Sequence, residues 1–215
     1  MAAGSYFGSY GRFTAPEKEH AVHLMSADSL IGDELNYAMH TQDGKTRVVL
    51  SNRFGGEIGS LDAKSAHDIQ LCLAKDWNVH VLLASIFQKH PEGGGRATHW
   101  GEVVILAYPP AQAEAFDVFT GNIAKMLSEG IRPEVELQQS SVTQVLESGG
   151  SWTPNGRHAT VSKDGSVMLK GSLSLNDKLV EQARKRNPGC MFAGWVFIAA
   201  LIFLVLYLVK LLLGF

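Results

Sequence analysis

The chain is poor in cysteine, with only Cys72 and Cys190 among 215 residues. That excludes a disulfide-built fold and suits a reducing compartment. An excess of charge of one sign is also lacking: 19 basic residues face 21 acidic ones, a net charge of -2. Such a balance argues against a nucleic-acid partner, which asks for a basic surface. No repeat of fixed period is present. The start, MAAGSYFGSYGRF, has no apolar core of signal-peptide length, so export is not expected.

What is present is a greasy end. Cys190 to Val209 is a run of twenty residues without a charge. At about 1.5 Å per residue, roughly twenty residues span a bilayer's hydrocarbon as one helix. The span is read as residues 190–213. Arg184, Lys185 and Arg186 precede it, and Lys210 is the one charge after the uncharged run. Positive clusters stay on the cytoplasmic side, so the expected location is a single-pass membrane protein of tail-anchored layout. Its body is cytoplasmic and its far-side tail very short. Trp195 and Tyr207 sit toward the two ends of the span, where aromatic rings favour the headgroups. Lys210 can snorkel to the far interface. Cys190, at the cytoplasmic edge, is a candidate for acylation.

The body reads as α+β, a small mainly antiparallel sheet with two amphipathic helices. Residues 1–18, rich in Gly, Ser and aromatics, read as a mobile arm. Residues 19–130 read as the domain. His20–Met25 is expected as a short strand, and Leu35–His40 and Thr46–Ser51 as a hairpin turning at Asp43-Gly44. Asp62 is a natural N-cap for a helix carrying Ala66, Ile69, Cys72 and Leu73 on one stripe. Val79–Phe87 and Trp100–Tyr108 are strongly apolar strands expected to pair as a long hairpin. Phe116, Phe119, Ile123 and Leu127 form the stripe of a second helix with Gly130 as its C-cap. Residues 131–175 read as an extension containing a hairpin over 158–170. Residues 176–187 read as a basic helix at the membrane surface, capped by Asn176 or Asp177.

The candidate loop site is Arg53, Gly55, Gly56, Gly59 and Lys64. A glycine-rich loop before a helix is the layout that cradles phosphates. Here Lys64-Ser65 follows Gly59, but Ala63 stands where a P-loop needs glycine. The glycines are therefore expected to serve a turn. Eight histidines occur without metal-ligand spacing. His80, His90 and His99 are the set that could converge around the second glycine loop. Cys72, on an apolar stripe, reads as an inert thiol. No catalytic residue, metal or cofactor is expected.

The stretch GKTRVVLSNRFGGEIGSLDAKSAHDIQLCLAKDWNVHVLLASIF, residues 44–87, resembles a HIRAN domain. Gly56, Ile58, Gly59 and Leu61 stand where that family has its G-x-V-G-x-L turn. The resemblance implies strand, turn, short helix, strand, and a link to binding DNA ends. The leading expectation is a membrane-tethered, non-catalytic interaction or accessory module. Its partners would be the lipid bilayer and another membrane or membrane-associated protein, with self-association a further option. The alternatives are a membrane-associated nucleic-acid-binding module, which needs the aromatic arm and Arg47, Arg53 and Lys64 in one patch, and a membrane-bound enzyme. Ending the chain after Arg186 is expected to move the protein from a carbonate-resistant membrane pellet to the soluble fraction. Retention in the pellet would refute the anchor.

Overall fold

The computed structural model describes residues 6–42, 45–90, 97–158, 166–184 and 197. The described residues through Leu173 form one compact unit, and those from Ser174 belong to a second. The first unit runs β1 (Phe7–Ala15), α1 (Lys18–Met25), β2 (Asn36–Gln42), β3 (Lys45–Ser51), β4 (Glu57–Leu61) and α2 (Ala63–Leu73). It continues with β5 (Asn78–Lys89), β6 (Thr98–Tyr108), α3 (Ala113–Ser128), β7 (Ile131–Pro133), α4 (Gln139–Glu147), β8 (Gly156–His158) and β9 (Val167–Lys170).

From Tyr6 onward, the glycine- and aromatic-rich start is not an arm. β1 pairs antiparallel with β6 from Phe7↔Ala107 to Ala15↔His99, and with β4 at Phe13↔Leu61. Glycine is depleted in strands because it loses most entropy there, so local composition points the wrong way. Pairing with partners distant in sequence outweighs that cost. Phe13 is fully buried. Tyr6 stacks on Phe116 at 5.2 Å and donates its hydroxyl to the Val135 carbonyl.

Seven strands form an antiparallel sheet in the order β2-β3-β4-β1-β6-β5-β9. The sheet also closes on itself. Just before β2, Leu35 N–H donates to Val81 O and Gly32 N–H to Leu83 O, while Leu83 N–H donates to Asp33 O. Glu34 thus bridges Leu82 of β5, and six strands complete a ring. β9 continues along the same edge of β5, at Ile86–Gln88. Closure leaves few unpaired backbone groups, which is how β proteins remove sticky edges. The core holds Leu50, Ile58, Val81, Leu83, Val103 and Ile105 from the strands, with Ile69 from α2 and Phe116, Phe119 and Ile123 from α3.

The α+β reading and the mainly antiparallel sheet hold, as do the β2–β3 and β5–β6 pairings. The count of two body helices does not. His20–Met25 lies inside α1, whose Leu24 is buried. A six-residue apolar stretch fits either period, and Glu19 in the first turn and His23 in the last suit the helix dipole. The described residues of 131–173 belong to the first unit, with Val135, Val142 and Val145 in its core. The hairpin expected over 158–170 is not present among the described residues. β8 pairs with β7 and β9 with β5 instead. The turns expected at Asp43-Gly44 and Asp164-Gly165 lie outside the described residues.

The second unit contributes α5 (Leu175–Arg184). Its cap is Ser174 rather than Asn176 or Asp177. Ser174 N–H and Oγ both reach Asp177 Oδ2, and Asp177 N–H returns to Ser174 Oγ. This reciprocal box satisfies two backbone donors at once. Lys185, Arg186 and the span with Cys190, Trp195, Tyr207 and Lys210 lie outside the described residues. Among the described residues, no helix is long and apolar enough to cross a membrane.

If β1 is structural, Phe13→Ala should destabilise the protein by about 3–5 kcal/mol, the usual cost of emptying a buried phenylalanine site. The midpoint of chemical unfolding measures it. A change under about 0.5 kcal/mol, as on a free tail, would contradict the central strand.

Candidate functional site

The glycine-rich stretch divides into a turn and a strand. Asn52 organises the turn: its Oδ1 accepts from Phe54 N–H at 3.0 Å and Gly56 N–H at 2.9 Å. Gly55 N–H donates to Asn52 O, and Asn52 N–H to Gly56 O. A phosphate cradle needs backbone N–H groups free to point at the anion. Here Phe54, Gly55 and Gly56 have spent theirs inside the turn. Gly55 has φ +85, which a turn demands of it.

Gly59 serves another purpose. It lies within β4 at φ +144, beside the register shift at Leu50/Ser51. A Cβ there would stand 2.2 Å from Thr14 O of β1. The missing side chain lets β1 and β4 approach. Lys64 is exposed in the first turn of α2, and Arg53 is exposed in the turn before β4. The five residues of β4 separate these two regions by about 17 Å at roughly 3.3 Å per residue. The structure therefore does not gather Arg53, Gly55, Gly56, Gly59 and Lys64 into one site. The start of α2 is also occupied: Asp62 Oδ1 accepts from Ser65 N–H at 2.8 Å, and Oδ2 accepts from Arg12 N–H at 3.1 Å.

The histidines do not converge either. His80 pairs with Leu106 and His99 with Gln88, so eight residues of β5 separate their positions. That is about 26 Å along the strand, far beyond a shared metal with bonds near 2 Å. Among the described residues, no three His, Cys, Asp or Glu groups are placed to hold a metal ion. Cys72 is buried, and burial pushes its thiol up, away from the reactive thiolate.

His80 does belong to a polar string that spacing does not announce. Its Nδ1 is 2.7 Å from Glu34 Oε1, and its Nε2 is 2.7 Å from Tyr108 Oη. Tyr108 donates to Asp117 Oδ1 at 2.6 Å. The His80 and Tyr108 rings stack with centroids 5.3 Å apart. Tyr108 is fully buried, and burial, followed by its bond to Asp117, pushes its hydroxyl well above the usual range. The hydrogen bond from His80 holds the Glu34 carboxyl below its ordinary range. Signals in the sequence are faint: a tyrosine ending an apolar strand, and an aspartate set between Phe116 and Val118.

A second polar tie joins β1, β6 and β7. Glu102 accepts from Ser85 Oγ and from the Arg132 guanidinium, which lies 3.6 Å over the Tyr10 ring. Tyr10 donates to Pro133 O. These bonds again turn the aromatics of the N-terminal stretch inward.

A cleft of about 560 Å³ opens between the end of β1, α1 and the start of β6. Arg12, Lys18, Val22, Met25, His99 and Trp100 line it. Trp100 is held firmly. It stacks on Phe87 at 4.1 Å, takes the Arg12 guanidinium 3.8 Å from its ring, and donates Nε1–H to Ser166. Val22 and Met25 are 59% and 40% exposed, unusual for apolar residues of a helix against a sheet. No protein-family model matches the sequence, and neither does any curated protein.

The two glycines give a direct check on their roles. Gly59→Ala should cost about 2–4 kcal/mol, from backbone strain plus the clash with Thr14 O. Gly55→Ala, with open space around its Cβ position, should cost about 1 kcal/mol from its positive φ alone. Unfolding curves of both variants measure this, and equal costs would contradict the assignment.

Proposed function

We propose that this chain is a non-catalytic interaction module, tethered at a membrane with its body on the cytoplasmic side. A second membrane-associated protein seats in the cleft beside α1. The observation that carries this reading is the pair Val22 and Met25, exposed on a cleft floored by Trp100. Apolar side chains grouped on a concave surface are what protein partners bury. The reading is further supported by what the other polar groups do. The glycine turn, Glu102–Arg132 and Tyr6 and Tyr10 are engaged in holding the fold. The tether rests on the apolar run from Cys190 and the basic residues before it. Exposed Leu175 and Leu179, four apart on α5, suit a helix lying in a membrane interface. Tethering raises the local concentration of such a module, so its own affinity need not be high.

A second reading is a nucleic-acid-binding module of HIRAN type. It is favoured by Arg12, Lys18 and His99 lining the same cleft. The patch first required for it is not assembled. The aromatic stretch is folded into β1, and Arg47 donates to Ser60 on the β3–β4 face.

Purification of the full-length protein in mild detergent, with and without nuclease, separates these readings. The expected result is a stoichiometric membrane protein that survives nuclease and is lost from Met25→Asp. That exposed substitution should alter stability by no more than about 0.5 kcal/mol. Nuclease-sensitive, salt-dependent capture would favour the second reading. A solitary protein, or a partner indifferent to Met25→Asp, would refute the cleft as the docking surface.

A further inference from the structure

The string Glu34–His80–Tyr108–Asp117 crosses the place where the sheet closes. Glu34 is the bridge residue of the closing segment, and His80 stands on β5 next to Val81, which accepts the Leu35 amide. Tyr108 ends β6 and Asp117 lies on α3. One histidine thus ties the closing segment to the two elements on its other side.

The protons in this string can be counted. Tyr108 has one hydroxyl proton, and it goes to Asp117. Its oxygen must then accept from His80 Nε2–H. An ionised carboxylate can only accept, so Glu34 needs a proton on His80 Nδ1. All three bonds are complete only when the ring carries both protons. A neutral ring has a single N–H. Either Glu34 then loses its donor, or Tyr108 turns its proton to Nε2 and Asp117 loses its own.

We propose that this string is a pH-sensitive latch on the seam of the sheet: doubly protonated His80 holds residues 32–35 against β5, and loss of one ring proton loosens them. The groups facing the ring are Glu34 from the closing segment, Tyr108 from β6, and Asp117 from α3 at 4.0 Å from Nε2. Tyr37 of β2 lies near Glu34, and Cys72 of α2 near Tyr37.

The sign follows for each partner. The two ring N–H bonds are complete while His80 carries both protons, and one of them is lost when a ring proton leaves at higher pH. The Glu34 carboxyl is depressed in the folded state, so its contribution is present above the ordinary carboxylate range and lost as pH falls through the depressed value. The latch is closed while Glu34 is ionised and the ring carries both protons, and it loosens when either condition is lost. The seam controls only one edge of the ring, so the rest of the sheet need not follow.

The test uses the full-length protein in detergent micelles. Nitrogen NMR of His80 follows the protonation of its ring from about pH 5.5 to about pH 8.5, on either side of a free imidazole's titration near 6.5. Over the same range, hydrogen exchange reports amide protection, corrected for the intrinsic pH dependence of exchange. The expected result is a ring with two protons at the acid end. Protection of the Gly32, Leu35 and Leu83 amides should fall about tenfold as one proton leaves, the usual worth of one hydrogen bond. Amides of the β1–β6 pairing should not shift. His80→Gln should abolish the step, and Tyr108→Phe should reduce it. A singly protonated ring throughout, seam protection that ignores the ring, or an equal loss at β1–β6 would each overturn the latch. The wild-type titration decides the matter even if a variant fails to fold.

Discussion

β1 is hydrogen-bonded along both edges, to β6 over its whole length and to β4 at its end. Take it away and β2-β3-β4 is joined to β6-β5-β9 only by the short seam at Glu34 and Leu82. The apolar face of each part would then need a new partner, since a few strands alone are marginal in water. Phe13, at full burial, brings roughly 2–3 kcal/mol of transfer free energy to this junction. Gly59 permits it from the other side by leaving room for Thr14 O. The stretch also anchors the C-terminal part of the unit, because Tyr6 and Tyr10 donate to the carbonyls of Val135 and Pro133.

Because β1 joins the halves, the remaining free edge of β2 can reach β5, and it does so through three backbone bonds around Glu34. Two kinds of bond therefore hold the ring. The β1 junction is long, largely buried and built from backbone pairing. The seam is short and borders exposed side chains, with Glu34 and Asp117 more than half exposed. Local opening prefers regions with few buried contacts and exposed hydrogen bonds. That difference is why a titrating side chain has leverage at the seam and little at the junction.

What could be read from the residues follows how local the determining forces are. The stripe Phe116, Phe119, Ile123, Leu127 names its own period, and all four are buried. Asp62 caps α2 by a bond that spans three residues. β5 and β6 are apolar enough to be strands wherever they pair. β1 is different: Gly8 and Gly11 mark a tail on composition alone, and Phe13 finds Gly101 only through the fold. The glycine turn was legible as a turn, but its length was not. Ile58 to Leu61 looked like its continuation and is a strand, because Gly59 tolerates a backbone no other residue would favour. His80 was visible as a histidine of interest with the wrong companions. Its real ones come from three separate elements, and no spacing encodes them.

Both open features of the body lie away from the glycine turn that first drew notice. The cleft sits at the end of β1 and the start of β6, and the polar string at the other end of β6, where Tyr108 closes the strand. A single strand thus carries Trp100 at one end and Tyr108 at the other, joined by seven residues of nearly continuous burial. Change at the seam can reach the cleft along that strand, or along β5, whose Phe87 stacks on Trp100. A core packed to crystal density resists graded deformation, so these strands favour independence of the two features over coupling. A partner seated beside α1 and a proton on His80 should then act on this chain separately, each through its own end of β6.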